Sequence, residues 1–250
     1  MKVTGERVST PEGGFKPTWE RHVAAYAAAA ELLPPDGAVV DVGCGTGHSY
    51  HLLAPRESVG VDIAADALRG QERRTIVADM RELPLPDGGF ASFLAVQSIE
   101  HVPDPERVLA EARRVLEPGG TAMFVTPNRL TFGRPDEIID PYHDVEYDQH
   151  ELRALCSRFF DSVEMHGLFG SERYLALIEA QRLRLDQLLK RDPLRLRRFV
   201  PRSARRWLYD AQLRRERAHP SAEALAIGAE DFELRAAPLD EALDLVAVCR

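Results

Sequence analysis

"VVDVGCGTGHS", residues 39–49, decides the fold. Val39, Val40 and Val42 make a β-branched run suited to a buried strand, and Gly43, Gly45 and Gly47 follow it in alternation. Lacking Cβ atoms, these glycines let the backbone turn sharply at the strand's carboxyl end and approach a ligand closely. Several nucleotide-binding folds share such a turn, so the acids around it narrow the ligand. Asp41 stands two residues before the first glycine, where a carboxylate can hold a cationic amino-acid group. Asp62 ends the second apolar run and can accept both hydroxyls of a ribose. Asp79 ends the third, placed for the exocyclic amine of an adenine. Ile63 and Met80 stand beside these acids, and Gln97 closes the fourth run, so all three join the candidate binding set. Cys44 is expected to be a spacer using its backbone amide. Turn and acids together describe a nucleoside ligand that makes no phosphate demand.

Outward from the turn, helical and apolar extended segments alternate. Residues 18–33 predict a helix stopped by Pro34-Pro35. Strands are expected at 39–42, 58–64, 75–80, 90–97 and 121–128, with an amphipathic helix over 105–120 closed by Gly119-Gly120. That alternation predicts an α/β, doubly wound parallel sheet. Beyond it come a helix at 148–160, a strand at 162–170 and a last strand at 243–250. The expected organisation is one domain over 1–250: an N-terminal helical segment at 1–35, a ligand-binding core at 37–170, an arginine-rich helical insertion at 171–225, and a closing segment at 226–250. If the strands flanking the insertion pair as a hairpin, the insertion sits on one edge of the sheet.

The 250 residues carry a net charge of −8, which argues against a protein that coats nucleic acid. No apolar run of about 18 residues occurs and the first residues lack an apolar targeting core, so neither a membrane span nor a signal segment is expected. Cys44, Cys156 and Cys249 are odd in number and form no CxxC pair. They read as reduced thiols of a cytoplasmic protein.

Residues 39–47, "VGVDIA", "ADMRELPLPDGGFASFLAVQSIEHVPDPERVLAEARRVLEPGG" and "TAMFVTPN" resemble the successive motifs of class I S-adenosylmethionine-dependent methyltransferases. The likeness is to the small-molecule, methyltransferase type 11-like branch that includes quinone-biosynthesis enzymes, and spans roughly residues 37–128. It implies a seven-stranded Rossmann-like sheet of order 3-2-1-4-5-7-6 with strand 7 antiparallel, and S-adenosylmethionine as cofactor. A domain that keeps the cofactor pocket without transferase activity is the alternative of another class.

Methyl transfer to an alcohol needs a base, and histidine has the suitable pKa. Two of the eight histidines fall on the expected ligand edge: His143, after the fifth strand, is the first choice, and His101, after the fourth, the second. Glu146 is grouped with them. The segment "DPYHDVEY", residues 140–147, superficially resembles the Asp/Asn-Pro-Pro-aromatic box of base-methylating enzymes, but that box belongs after the fourth strand. The segment after the fourth strand offers Glu100 and Asp104 but no paired acidic cluster of the kind in magnesium-dependent catechol methyltransferases, so no metal is expected. Short blocks at 3–7, 126–132, 140–152, 167–170 and 230–249 are similar to actinobacterial methyltransferases implicated in methylglucose-containing lipopolysaccharides. That likeness implies O-methylation of a saccharide hydroxyl. Asp-Pro-Tyr-His stands here where those relatives have Asn-Pro-Phe-His, so a C- or O-methylated quinone-like or other natural-product ring stays open. The arginines of 171–219 admit an anionic or carrier-linked acceptor, a solvated helical face, or a homodimer contact.

Overall fold

The computed structural model describes residues 16–132, 138–190, 192, 199–218 and 220–250. The block at 3–7, His219 and several insertion arginines, among them Arg191, Arg195, Arg197 and Arg198, lie outside the described residues.

Helix α1, Lys16–Leu32, opens the described chain and stops just ahead of Pro34-Pro35. Strands β1 (Val39–Val42), β2 (Ser58–Asp62), β3 (Thr75–Val77) and β4 (Phe90–Val96) follow. Helix α2 (Pro105–Val115) leads into β5 (Leu116–Pro127). Short α3 (Arg129–Phe132) and then α4 (Gln149–Cys156) precede β6 (Val163–Gly170). Helices α5 (Glu172–Leu189), α6 (Arg202–Ala218) and α7 (Ala222–Leu225) come next, before β7 (Phe232–Arg235) and β8 (Asp244–Cys249).

The strands form one sheet of order β3-β2-β1-β4-β5-β8-β6-β7. β1 to β5 pair in parallel, while β8 runs antiparallel to both β5 and β6. The first seven places match the order that the motifs implied, with β8 in the antiparallel seventh-strand position. The difference is one more edge strand: β7, inside the expected closing segment, pairs antiparallel with β6. β6 and β8 are the expected hairpin partners, and α5 to α7 leave the chain between them. The helix expected over 105–120 is shorter, because Pro118 disfavours helical backbone at Glu117 and Leu116 is already extended.

β1, β2, β4 and β8 are buried along their whole length, as strands covered on both faces must be. Phe93, Ala95 and Phe124 face the layer holding α2 and α4, where Leu109 and Leu152 pack. Leu94, Val96, Met123 and Val125 face the other layer, where the small side chains Ala25, Ala28 and Ala29 bring α1 close to the sheet. Among the described residues, no helix is long and apolar enough to cross a membrane.

Candidate active site

A cavity of about 240 Å³ opens at the carboxyl ends of β1, β2 and β4. Parallel sheets place their ligands at this edge, where the strand order reverses around β1. Gly43 (φ +70°), Gly45 (φ +54°) and Gly47 (φ +66°) all take left-handed backbone, which is why the turn needs glycine. A Cβ at Gly43 would lie 2.5 Å from that of Ser98, so the turn lies tight against the chain after β4. Around the equivalent point at Gly45 nothing lies within 4 Å. Gly45 lines the cavity, so that open space is where a ligand can meet bare backbone.

Asp62 fastens the turn from β2. Its Oδ2 accepts from the Gly45 amide at 2.9 Å and its Oδ1 from the Ala64 amide at 2.8 Å. Asp62 also lines the cavity, so its carboxylate can accept from a ligand hydroxyl there. Beside it Ile63 is 66% exposed, an apolar side chain on the cavity wall. Met80 and Asp79 continue the wall. The Arg81 guanidinium chelates Asp79, with contacts down to 2.7 Å, and holds its carboxyl below the usual range. Gln97 is the only non-glycine residue at positive φ (+49°) among the described residues. It faces the cavity and donates through Nε2 to the buried Asp244 of β8 at 2.8 Å. Strained backbone of this kind clusters at functional sites.

Three expected binding residues sit differently. Asp41 does not line the cavity: wholly buried behind the turn, it accepts from Arg73 at 2.7 Å and from the Tyr26 hydroxyl at 3.0 Å. Burial pushes its carboxyl up, and Arg73 opposes that shift. Arg73 reaches it by crossing β2 at Gly60, the residue paired with Asp41, where a Cβ would meet the Arg73 Nε at 2.9 Å. Cys44 lines the cavity, but its amide, expected to serve the ligand, donates to the Val61 carbonyl at 3.1 Å. Burial beside Asp41 pushes its thiol up to about 12, an unreactive state. Gly47 does not line the cavity either; the Gln71 side chain packs where its Cβ would be.

His101 lines the cavity, whereas His143 and Glu146 do not. The two rings meet edge to face with centroids 5.2 Å apart. His101 Nδ1 lies 3.2 Å from the Tyr142 carbonyl, which only accepts, so in the neutral ring this nitrogen carries the proton and Nε2 the lone pair. His143 Nδ1 lies 3.0 Å from Glu146 Oε1, and its Nε2 lies 4.0 Å from Asp140. Burial lowers the His143 pKa, but the Glu146 hydrogen bond and the charges of Glu100 and Asp140 outweigh it and raise the value. Glu100, His101 and His143 offer ligand atoms within 4.8 Å of one another, a donor set that could take a cation.

Sequence reasoning missed the α1 side of the cavity. His22 and Tyr26 line it one helical turn apart, a spacing that could have flagged them, together with His48 from the glycine turn. The His22 Nδ1 lies 2.8 Å from the Thr18 carbonyl, which leaves its Nε2 as an acceptor. Burial lowers its pKa to about 3, and that of His48, stacked on Trp19 with ring centroids 3.9 Å apart, to about 4. Both rings are neutral at physiological pH.

The topology, the glycine turn and the open wall beside Asp62 and Ile63 together define an α/β domain that fits an adenosyl cofactor. Residues 40–124 match the methyltransferase domain family Methyltransf_11. A probable S-adenosylmethionine-dependent methyltransferase of Mycobacterium tuberculosis is 31% identical over an alignment spanning 99% of this chain and 89% of its own. The chloroplastic tocopherol O-methyltransferase of Arabidopsis thaliana is 31% identical over 49% of this chain and 38% of its own. Among solved structures, an S-adenosylmethionine-dependent methyltransferase from Thermotoga maritima shares the fold with a TM-score of 0.62 at 19% identity, covering 94% of this chain and 92% of its own. The chain belongs to the S-adenosylmethionine-dependent methyltransferases, and S-adenosylmethionine is its cofactor.

Proposed function

We propose that this enzyme methylates a hydroxyl oxygen of a small molecule, with a saccharide as the first substrate class and His101 as the general base. The observation that carries this reading is His101 on the cavity wall, with Nδ1 tied to the Tyr142 carbonyl and Nε2 left as an acceptor. The bound cofactor supplies an activated methyl group, so the chain's task is alignment and removal of one proton. The glycine turn and Asp62 would hold the amino-acid and ribose portions, with Ile63 and Met80 against the adenine. Asp79, already chelated by Arg81, would contribute its remaining lone pairs. Asp41 would act from behind, by fixing the turn through Arg73 and Tyr26.

His143, first in the sequence ordering, suits a different part. Against the lowering effect of burial, surrounding carboxylates raise its pKa and so favour its charged form. Its ring lies against His101, not on the cavity wall, which suits a neighbour of the base better than the base itself. Glu146 would orient His143. His22, Gln97 and His101 offer hydrogen-bonding groups on the wall, which favours a polyhydroxylated acceptor. Methylation of a quinol-type ring is the second reading, favoured by the similarity to tocopherol O-methyltransferase. Arg202 and Arg206 bind the chain's own 140–144 segment, which weakens the case that these two recognise an anionic acceptor.

Transfer of labelled methyl from S-adenosylmethionine across a panel of saccharides and quinols tests the assignment. With the preferred acceptor, His101→Asn should lower kcat by about 10²- to 10⁴-fold, while S-adenosylhomocysteine affinity stays within about twofold. Full turnover by that variant across neutral pH would remove His101 as base, and methylation confined to quinols would remove the saccharide.

A further inference from the structure

We infer that helix α6 is a positioning brace for His101, acting through the segment 140–144 to hold the ring in its Nδ1-protonated tautomer. The inference builds on the reading of His101 as base, although the brace itself can be tested without an acceptor.

Segment 140–144 carries no regular structure, yet α6 grips it along its length. The Tyr142 hydroxyl donates to Asp210, at 2.8 Å from each carboxylate oxygen. The Tyr209 hydroxyl donates in the opposite direction, to Asp140 at 2.8 Å. These two tyrosine–aspartate pairs cross between the same two elements. Arg202 and Arg206 both donate through Nε to the Pro141 carbonyl, at 2.9 and 3.1 Å. Arg202 also binds Asp144 at 2.6 Å and the His143 carbonyl at 3.0 Å, while the Arg206 guanidinium lies 4.9 Å from the centroid of the Tyr142 ring.

The other side of this segment faces the cavity wall, where the Tyr142 carbonyl receives the His101 Nδ1–H. Tyr142 is therefore held at two ends: its hydroxyl by α6 and its carbonyl by the candidate base. A histidine ring without such a partner samples both tautomers, and the proton on Nε2 would remove the lone pair that a base needs. The brace converts a long-range contact into a fixed tautomer. That gives Arg202 and Arg206 a task that neither a solvated face nor an anion site explains. The segment has a second anchor, because the Asp144 and Val145 amides donate to the Glu100 carbonyl at 2.8 and 3.2 Å. Loss of the α6 contacts should therefore loosen the segment without unfolding the sheet.

Nitrogen-15 histidine NMR on the full chain saturated with S-adenosylhomocysteine reads the tautomer directly. His101 should show the Nδ1–H form in the wild type. In Tyr142→Phe, in Asp210→Ala, and in the Arg202→Ala/Arg206→Ala pair, the ratio of Nδ1–H to Nε2–H should fall at least about threefold. His22, whose Nδ1 faces the Thr18 carbonyl, should keep its tautomer in every variant. Tyr142→Phe retains the ring and removes only the hydroxyl, so it stays informative if Asp210→Ala fails to fold. An unchanged His101 ratio in the folded variants overturns the brace. A shifted ratio, with His101→Asn still fully active, upholds the brace and sinks only the assignment of His101 as base.

Discussion

At the scale of single residues, Gly43 and Gly45, two of the three glycines of the turn, separate fold from function. Both hold positive φ, so an alanine at either would incur about 1–2 kcal/mol of left-handed strain. Their surroundings differ. At Gly43 the new Cβ meets Ser98 at 2.5 Å, and Ser98 is itself buried and tied to the Val42 carbonyl at 3.3 Å. At Gly45 the new methyl enters the open space of the cavity. Gly43→Ala should therefore lower the denaturation midpoint more than Gly45→Ala. Gly45→Ala should keep most of its stability and still lose at least about tenfold in S-adenosylhomocysteine affinity, the equivalent of ~1.4 kcal/mol. Calorimetric titration beside a urea melt decides this, and equal stability losses with unimpaired binding by Gly45→Ala would show that the ligand does not approach that backbone. The same contrast bounds what the sequence revealed. The GxGxG spacing marked a close approach, but which glycine makes room for the chain and which for the ligand depends on Ser98, 55 positions further on.

At the scale of elements, β1 and β2 are joined by more than their ladder. Arg73 crosses Gly60 to reach Asp41, with side-chain exposures of 5% and 0%, and its guanidinium lies 4.4 Å from the centroid of the Tyr50 ring. Removing one partner of a buried pair leaves an uncompensated charge, so Arg73→Ala should cost about 3–5 kcal/mol in denaturant unfolding. Adding Asp41→Asn should recover part of that loss, and a single-variant cost below about 1 kcal/mol would mean that water already serves the pair. The strands themselves were readable because β-branched runs separated by turn residues permit few alternatives. The Asp41–Arg73 pair was not, since an acid beside a glycine turn fits a ligand role equally well until its partner is located. The same holds for α6: alternating arginine and apolar residues mark a helix, while the exchange of Tyr142 and Tyr209 with Asp210 and Asp140 links positions about seventy residues apart. Pro118 was visible, but where α2 ends follows from the pairing of Leu116 with Phe90 as much as from the proline.

At the scale of the whole molecule, α1 and the glycine turn each bring one neutral imidazole to the cavity wall, and this couples stability to pH. His22 and His48 have folded pKa values of about 3 and about 4, against 6.5 for an unperturbed histidine. From pH 6.5 down to about 4 the unfolded chain binds protons at these positions that the folded chain refuses. Their contribution is thus complete above pH 6.5 and shrinks on acidification, by at most about 1.4 kcal/mol per pH unit for each ring. Asp41 and Asp244, raised by burial, act in the opposite direction, because the folded form takes up their protons first as pH falls. His143, also raised, does the same at higher pH. The net acid slope is therefore a mixture, and the histidine part emerges by difference. In urea melts between pH 7 and pH 5, the His22→Asn/His48→Asn protein should lose less stability than the wild type. Parallel slopes for the two proteins would mean that both rings take up protons freely in the folded state.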